Sequence, residues 1–96
     1  NGVALAEWKD VNGEINDDSR IDFVKRYLRA LHRAAQEIPV LGYFYWSLMD
    51  NFEWAEGFSK KFGLVHIDYQ TGERTLKKSA YWYKKVIESN GEEIFR

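Results

Sequence analysis

The sequence contains no cysteine and only one proline, and its positive and negative charges nearly cancel. The absence of cysteine excludes a disulfide framework, a thiolate nucleophile and a thiolate metal site. With 14 Lys and Arg against 15 Asp and Glu, the chain has no excess of positive charge with which to neutralise phosphates. We therefore expect no nucleic acid among its partners.

Long apolar runs are missing as well. The longest stretch without a charged residue covers residues 38–49, which is well short of the roughly 20 residues that cross a bilayer. Residues 1–4 show neither the basic region nor the apolar core of a secretion signal. From the sequence we expect a soluble, cytoplasmic protein that does not bind membranes.

Two helices are predicted from the spacing of apolar residues. Residues 19–38 place apolar side chains on one face of an amphipathic helix, at Ile21, Val24, Leu28, Leu31 and Ala35. Asp17, Asp18 and Ser19 are suited to cap its amino end, and Pro39 follows as a stop. A second helix is predicted from residue 79, ending near Asn90 with a left-handed cap at Gly91.

Strands are predicted between the two helices. Residues 40–46 form a continuous apolar run, which is typical of a parallel strand covered on both faces. Residues 47–61 are expected to form an irregular loop. Alternation over residues 64–69, a turn at Thr71 and Gly72, and residues 74–76 predict a β-hairpin.

One parallel strand cannot form a sheet by itself, so residues 1–96 are expected to be a single incomplete domain of a larger α/β fold. A self-contained fold would need oligomerisation or strand swapping. Either way, we expect the isolated chain to self-associate through its unpaired strand.

The loop after the predicted strand is rich in aromatic and acidic side chains, among them Trp46, Asp50, Glu53 and Trp54. Loops at the carboxyl ends of parallel strands are where α/β folds hold ligands. Indole faces can stack on a sugar ring, and carboxylates accept hydrogen bonds from hydroxyls. Packing in a core is the alternative for the indoles, but a core rarely includes unpaired carboxylates.

Three adjoining segments resemble a known signature. They are GYFYWSLMDNFEWAEGF at residues 42–58, KFGLVHIDY at 61–69 and TGERTLKKSAYWY at 71–83. Together they resemble the carboxyl-terminal part of family 1 glycoside hydrolases, the β-glucosidase family. The resemblance implies a (β/α)8 TIM barrel, in which residues 19–38 are the seventh helix and 40–46 the eighth strand. The long loop, the β-hairpin and the last helix, 79–90, would follow.

The resemblance also implies a retaining β-glycosidase that removes terminal non-reducing β-D-glycosyl residues. In that family the nucleophile is the glutamate of a Thr-Glu-Asn-Gly motif, which would place it directly before Asn1. The acid/base glutamate belongs to an Asn-Glu-Pro motif, and Pro39 is preceded by Ile38. The chain is thus expected to contain neither catalytic glutamate and to be inactive alone.

Four substrate-binding residues follow from the resemblance. Trp46 would form the wall of the subsite for the non-reducing sugar, and Phe62 would lie near its hydroxymethyl group. Glu53 would accept hydrogen bonds from hydroxyls 4 and 6, and Trp54 would donate to hydroxyl 3. Because a carboxylate at position 53 would repel a sugar phosphate, an unphosphorylated glycoside is implied.

The expected partners are therefore a β-glycoside substrate and the remainder of the barrel. His32 and His66 have no carboxylate at triad or metal spacing, so both are interpreted as packing or surface residues, and neither a metal nor a cofactor is predicted. Two alternatives stay open: a non-catalytic sugar-binding module, and a module that complements the rest of a barrel.

Overall fold

The computed structural model describes residues 2–51 and 61–96. In chain order its elements are α1 (Asp18–Ala34), β1 (Val65–Ile67), β2 (Arg74–Leu76), α2 (Lys78–Glu88) and a 3-10 helix (Glu92–Phe95). Within these ranges, no helix is both long enough and apolar enough to span a membrane.

The core lies between α1, α2 and the 3-10 helix. Val24 and Leu28 of α1 pack against Val86 of α2 and Ile94 of the 3-10 helix, with Tyr43 and Tyr45 at the edge of the cluster. Val24 and Leu28 are two of the five positions that the helical periodicity assigns to the buried face, and the last of the five, Ala35, lies beyond the end of the helix. The predicted inner face of α1 is thus confirmed at these positions.

Helix α1 is shorter than the sequence predicts, because it ends at Ala34 and not at residue 38. The amides of Gln36 and Glu37 donate to carbonyls three residues earlier, at 3.2 and 3.0 Å. Such tightened bonds are common where a helix ends. The predicted side-chain cap is also wrong: Asp17 occupies the N-cap position but makes no capping hydrogen bond.

The predicted β-hairpin is confirmed. Strands β1 and β2 pair in antiparallel fashion, with Val65 opposite Leu76 and Ile67 opposite Arg74. Gly72 has a φ of +78°, a conformation that glycine adopts without steric cost, so the turn falls where the sequence predicts it.

Helix α2 ends at Glu88, shortly before the predicted end near Asn90, and the predicted left-handed turn follows it. Asn90 and Gly91 have φ values of +52° and +93°. The amide of Gly91 donates to the Val86 carbonyl at 2.8 Å, which closes the helix as a left-handed cap does.

Residues 40–46, predicted as a strand covered on both faces, form no strand among the described residues and are covered on one face only. No residue in this range belongs to a strand, since strands are defined by bonds to a neighbour and no described segment pairs with it. Its side chains alternate instead. Tyr43 and Tyr45 face the core, whereas Phe44 is 89% exposed and Trp46 is 54% exposed. One face is covered by the helices and the other is open.

Candidate functional site

Two stretches of chain, residues 46–50 and 61–65, run side by side. In the sequence they are separated by residues 51–60. The amide of Asp50 donates to the Val65 carbonyl at 2.9 Å, and the amide of Leu64 donates to the Leu48 carbonyl at 3.0 Å. Met49 and Val65 form a parallel bridge. Residues 46–50 and 61–65 therefore form one backbone unit, and the predicted sugar-binding residues Trp46 and Phe62 both belong to it.

Two glycines permit the close approach of these stretches. A Cβ atom on Gly63 would lie 2.4 Å from the Asp50 amide nitrogen, and one on Gly2 would lie 2.3 Å from the Trp46 carbonyl oxygen. Both distances are too short for any side chain. The backbone at Trp46 thus packs against Gly2, and the stretch that follows it packs against residues 61–65.

Tyr45, the residue before Trp46, forms a hydrogen bond with the backbone of Phe62. The Tyr45 hydroxyl donates to the Phe62 carbonyl at 2.9 Å, and the Ser47 amide donates to the same carbonyl at 3.4 Å. Burial raises the pKa of Tyr45, although nearby Arg20 opposes the shift, so the hydroxyl keeps its proton and remains a donor.

A buried lysine lies directly behind this unit. The ammonium of Lys77 is fully buried and contacts Asp50 Oδ1 at 2.8 Å and Glu7 Oε1 at 2.5 Å. Asp50 Oδ1 also accepts a hydrogen bond from the Gly63 amide at 3.0 Å. Asp50 therefore holds both stretches of backbone and is itself held by Lys77.

Arg20 is the second fully buried cation. Its Nη1 contacts Glu7 Oε2 and Asp17 Oδ2, both at 2.6 Å, and its Nη2 donates to the Lys61 carbonyl at 2.6 Å. Burial by itself lowers the pKa of Arg20, but the hydrogen bond and charge of Glu7 and the bond to Asp17 raise it overall. The guanidinium stays charged in this environment.

Asp17 joins the amino ends of the two helices. Its Oδ1 accepts from the Ser79 amide at 2.8 Å and its Oδ2 accepts from the Ser79 hydroxyl at 2.6 Å. This explains why Asp17 does not cap its own helix, since its oxygens already bind α2 and Arg20. The sequence does not indicate the cluster of Glu7, Arg20, Asp17, Lys77 and Asp50, because its members other than the neighbouring pair Asp17 and Arg20 are far apart in the chain.

His66 is half-buried and contacts a carboxylate that its spacing in the sequence does not indicate. Its Nδ1 lies 3.4 Å from Asp50 Oδ2, a buried oxygen with no hydrogen bond among residues 2–51 and 61–96. The two residues are distant in sequence, so only the pairing of the two stretches brings them together. His32 packs edge-on against Phe95, as a packing residue does.

The four predicted sugar-binding residues fall into two groups. Trp46 is exposed and Phe62 is half-buried, and both belong to the unit described above. Glu53 and Trp54 lie outside the described residues. Among residues 2–51 and 61–96, no group of three or more His, Asp or Glu side chains is arranged to hold a metal ion.

Known proteins resemble this chain over nearly its whole length. The sequence profile of glycosyl hydrolase family 1 matches residues 1–92. Beta-glucosidase A of Thermotoga maritima is 48% identical over 92 residues, which cover 95% of this chain and 21% of that protein. A 6-phospho-beta-galactosidase of Streptococcus mutans is 52% identical over 85 residues, covering 85% of this chain and 18% of that protein.

Comparison with solved structures leads to the same family. The structure of a family 1 β-glucosidase from Thermotoga maritima in complex with isofagomine lactam superposes with a TM-score of 0.92 at 47% identity, covering 95% of this chain and 21% of that one. The chain belongs to glycosyl hydrolase family 1, whose fold is a TIM barrel. It spans about a fifth of the length of these relatives.

Proposed function

We propose that this chain is the substrate-binding carboxyl-terminal part of a retaining β-glycosidase of the β-glucosidase type, acting on terminal non-reducing β-D-glycosyl residues. The observation that supports this most strongly is the backbone unit that holds Trp46 exposed beside Phe62. An exposed indole at the end of a packed segment is an apolar platform on which a sugar ring can stack.

Within the proposed barrel, residues 40–46 are the eighth strand. The alternation along this segment supports the assignment, because Tyr43 and Tyr45 contact the helices while Phe44 and Trp46 face away from them. In a TIM barrel the face opposite the helices is the barrel interior, and ligands bind at the carboxyl end of each strand. Trp46 is the last residue of the segment.

Two of the four proposed residues make apolar contacts with the sugar, and the other two make hydrogen bonds with it. Trp46 forms the wall behind the sugar and Phe62 contacts its hydroxymethyl group. Glu53 accepts hydrogen bonds from hydroxyls 4 and 6, and Trp54 donates its indole N–H to hydroxyl 3. These contacts favour catalysis when they strengthen as the ring flattens towards an oxocarbenium-like transition state.

The two carboxylates of the reaction belong, in this proposal, to other parts of the barrel. A retaining glycosidase needs a nucleophile and an acid/base roughly 5–5.5 Å apart on either side of the scissile bond. The contribution of residues 1–96 is to orient the sugar between them, which lowers the barrier by positioning. We therefore expect the isolated chain to hydrolyse no aryl β-glucoside above background.

The preferred substrate is proposed to be an unphosphorylated glycoside. One relative is named a 6-phospho-beta-galactosidase, so overall identity does not decide between the two substrate classes. In this proposal the carboxylate of Glu53 determines the substrate class, because a negative charge near hydroxyl 6 repels a phosphate there.

The experiment is a chimera in which residues 1–92 replace the matched segment of Thermotoga maritima beta-glucosidase A, referred to below as the chimera. We expect it to hydrolyse an aryl β-glucoside and to act at least tenfold more slowly on the 6-phosphorylated analogue. A folded chimera without hydrolysis would contradict the proposal. If it still bound the glucoside, the alternative of a non-catalytic sugar-binding module would be favoured.

A further inference from the structure

Two buried cations share one carboxylate in this structure. The side chains of Lys77 and Arg20 are fully buried, and both contact Glu7, whose side chain is 6% exposed. Lys77 binds one carboxylate oxygen of Glu7 at 2.5 Å and Arg20 binds the other at 2.6 Å. Glu7 thus joins two cations that belong to distant parts of the chain.

Each cation also contacts a residue that flanks residues 51–60, the segment between the two paired stretches. Lys77 contacts Asp50 at 2.8 Å, directly before this segment begins. Arg20 donates to the Lys61 carbonyl at 2.6 Å, directly after it ends. Lys61 is fixed further by two backbone hydrogen bonds with Leu5, of 3.0 and 2.8 Å.

We propose that Lys77 is a positioning residue for sugar binding: through Asp50 it fixes residues 46–50, including Trp46, against residues 61–65. Through Glu7 it connects this unit to Arg20 and so to Lys61. The role in sugar binding rests on the proposed function, whereas the mechanical role rests on the contacts alone.

The cost of burying these charges supports a positioning role. A buried ion pair is rarely more stable than apolar residues of the same volume, because desolvation offsets the attraction. Such a pair instead fixes the positions of the groups that it joins, because charge-assisted hydrogen bonds are short and hold their donor and acceptor atoms close together. Here the fixed carboxylate is that of Asp50, which follows Trp46 in the same paired stretch, and a displacement of Trp46 by about 1 Å would lower activity.

The first test compares two adjacent lysines in the chimera. Lys77→Met removes the buried cation and keeps much of its volume. Lys78→Met is the matched control, because the Lys78 side chain is 52% exposed and pairs with exposed Asp18. We expect kcat/KM for an aryl β-glucoside to fall at least tenfold in Lys77→Met and to stay within twofold in Lys78→Met. A folded Lys77→Met chimera with unchanged kcat/KM would contradict the proposal.

The second test separates positioning from general stability. If Lys77 acts through Trp46, its loss should matter little once the indole is gone, so Lys77→Met should lower kcat/KM less than threefold in a Trp46→Ala background. Residues that act independently give multiplicative losses. Multiplicative losses for Lys77→Met and Trp46→Ala would therefore overturn the proposal.

The third test does not depend on activity. Hydrogen exchange of the chimera reports the amides of Gly63 and Leu64, which donate to Asp50 Oδ1 and to the Leu48 carbonyl. We expect at least tenfold faster exchange there in Lys77→Met than in Lys78→Met, and equal rates would contradict the mechanical role.

If Lys77→Met does not fold, Asp50→Asn replaces it under the same criteria, since the amide keeps the shape and loses the charge. If Trp46→Ala alone leaves kcat/KM unchanged, the proposed function fails, and exchange still decides the mechanical role.

Discussion

At the scale of single residues, two arginines of the same helix differ fully in burial. Arg20 and Arg26 both belong to α1, yet the Arg20 side chain is fully buried and the Arg26 side chain is 79% exposed. Arg20 contacts two carboxylates and two backbone carbonyls, whereas Arg26 pairs with Asp22 on the exposed face of the same helix.

The two arginines therefore give a matched pair of stability variants. In Arg20→Met, the carboxylates of Glu7 and Asp17 remain buried without this cation, so we expect the free energy of unfolding to fall by about 3–5 kcal/mol. Arg26→Met removes only an exposed pair and should change it by less than about 1 kcal/mol. Urea denaturation of the chimera measures both. Similar values for the two variants would show that Arg20 does not hold the cluster together.

At the scale of elements, the pairing of residues 46–50 with 61–65 depends on a glycine. In Gly63→Ala the new methyl group would lie 2.4 Å from the Asp50 nitrogen, so the two stretches must separate. We expect at least a tenfold loss of kcat/KM in the chimera. Arg26→Ala is the control, because the Arg26 side chain is 79% exposed on the outer face of α1. Full activity in Gly63→Ala would contradict the described pairing.

The hairpin turn contains a carboxylate whose charge supports the local structure. Asp68 accepts hydrogen bonds from the amides of Gln70 and Thr71, and the Gln70 amide is the main cause that lowers the pKa of Asp68. A lowered pKa means that the folded turn prefers the ionised form. Its contribution is full above the unfolded value of 3.8 and is lost as the pH falls through the lower folded value.

Hydrogen exchange of the Gln70 amide tests this dependence. At pH 6 the amide should exchange roughly two- to threefold more slowly in the parent chimera than in Asp68→Asn, because the bond to an ionised acceptor is stronger. Below the folded pKa of Asp68 the two rates should converge. A difference that grows towards low pH would have the wrong sign for this account.

The elements differ in how far the sequence predicts them. Helix α2 and the β-hairpin are governed by local signals, such as the glycines at 72 and 91, and the ends of both are predicted to within two residues. Residues 40–46 are different, because a strand requires a neighbour, and local composition cannot supply one. The capping role of Asp17 fails for a similar reason, since Ser79, far along the chain, binds its oxygens.

At the scale of the whole molecule, large apolar side chains remain open to solvent. Leu41 is fully exposed, Phe44 is 89% exposed and Trp8 is 77% exposed. Surfaces of this kind usually bind other protein. We expect the isolated chain to self-associate, so that light scattering after size exclusion gives a mass above that of one 96-residue chain. A monodisperse monomer with cooperative unfolding would contradict this expectation.

The candidate site was only partly accessible to sequence reasoning. The aromatic and acidic composition of residues 46–56 indicates sugar binding, and the resemblance assigns roles to Trp46, Glu53, Trp54 and Phe62. The residues that hold Trp46 in place are not visible in the sequence. Glu7, Lys77 and Asp50 meet only after the chain has folded, and none belongs to a motif that indicates burial.

The central claim is that residues 1–96 hold the sugar in a family 1 glycosidase, and one comparison of kcat/KM in the chimera tests it most directly. Glu53→Ala removes the proposed acceptor of two sugar hydroxyls, and each hydrogen bond to a charged group contributes roughly 1.5–3 kcal/mol. Glu73→Ala is the control, since its carboxylate is exposed and pairs only with Lys9 among the described ion pairs. We predict a loss of at least a hundredfold for Glu53→Ala on an aryl β-glucoside and less than twofold for Glu73→Ala. Equal effects of the two substitutions would contradict the account.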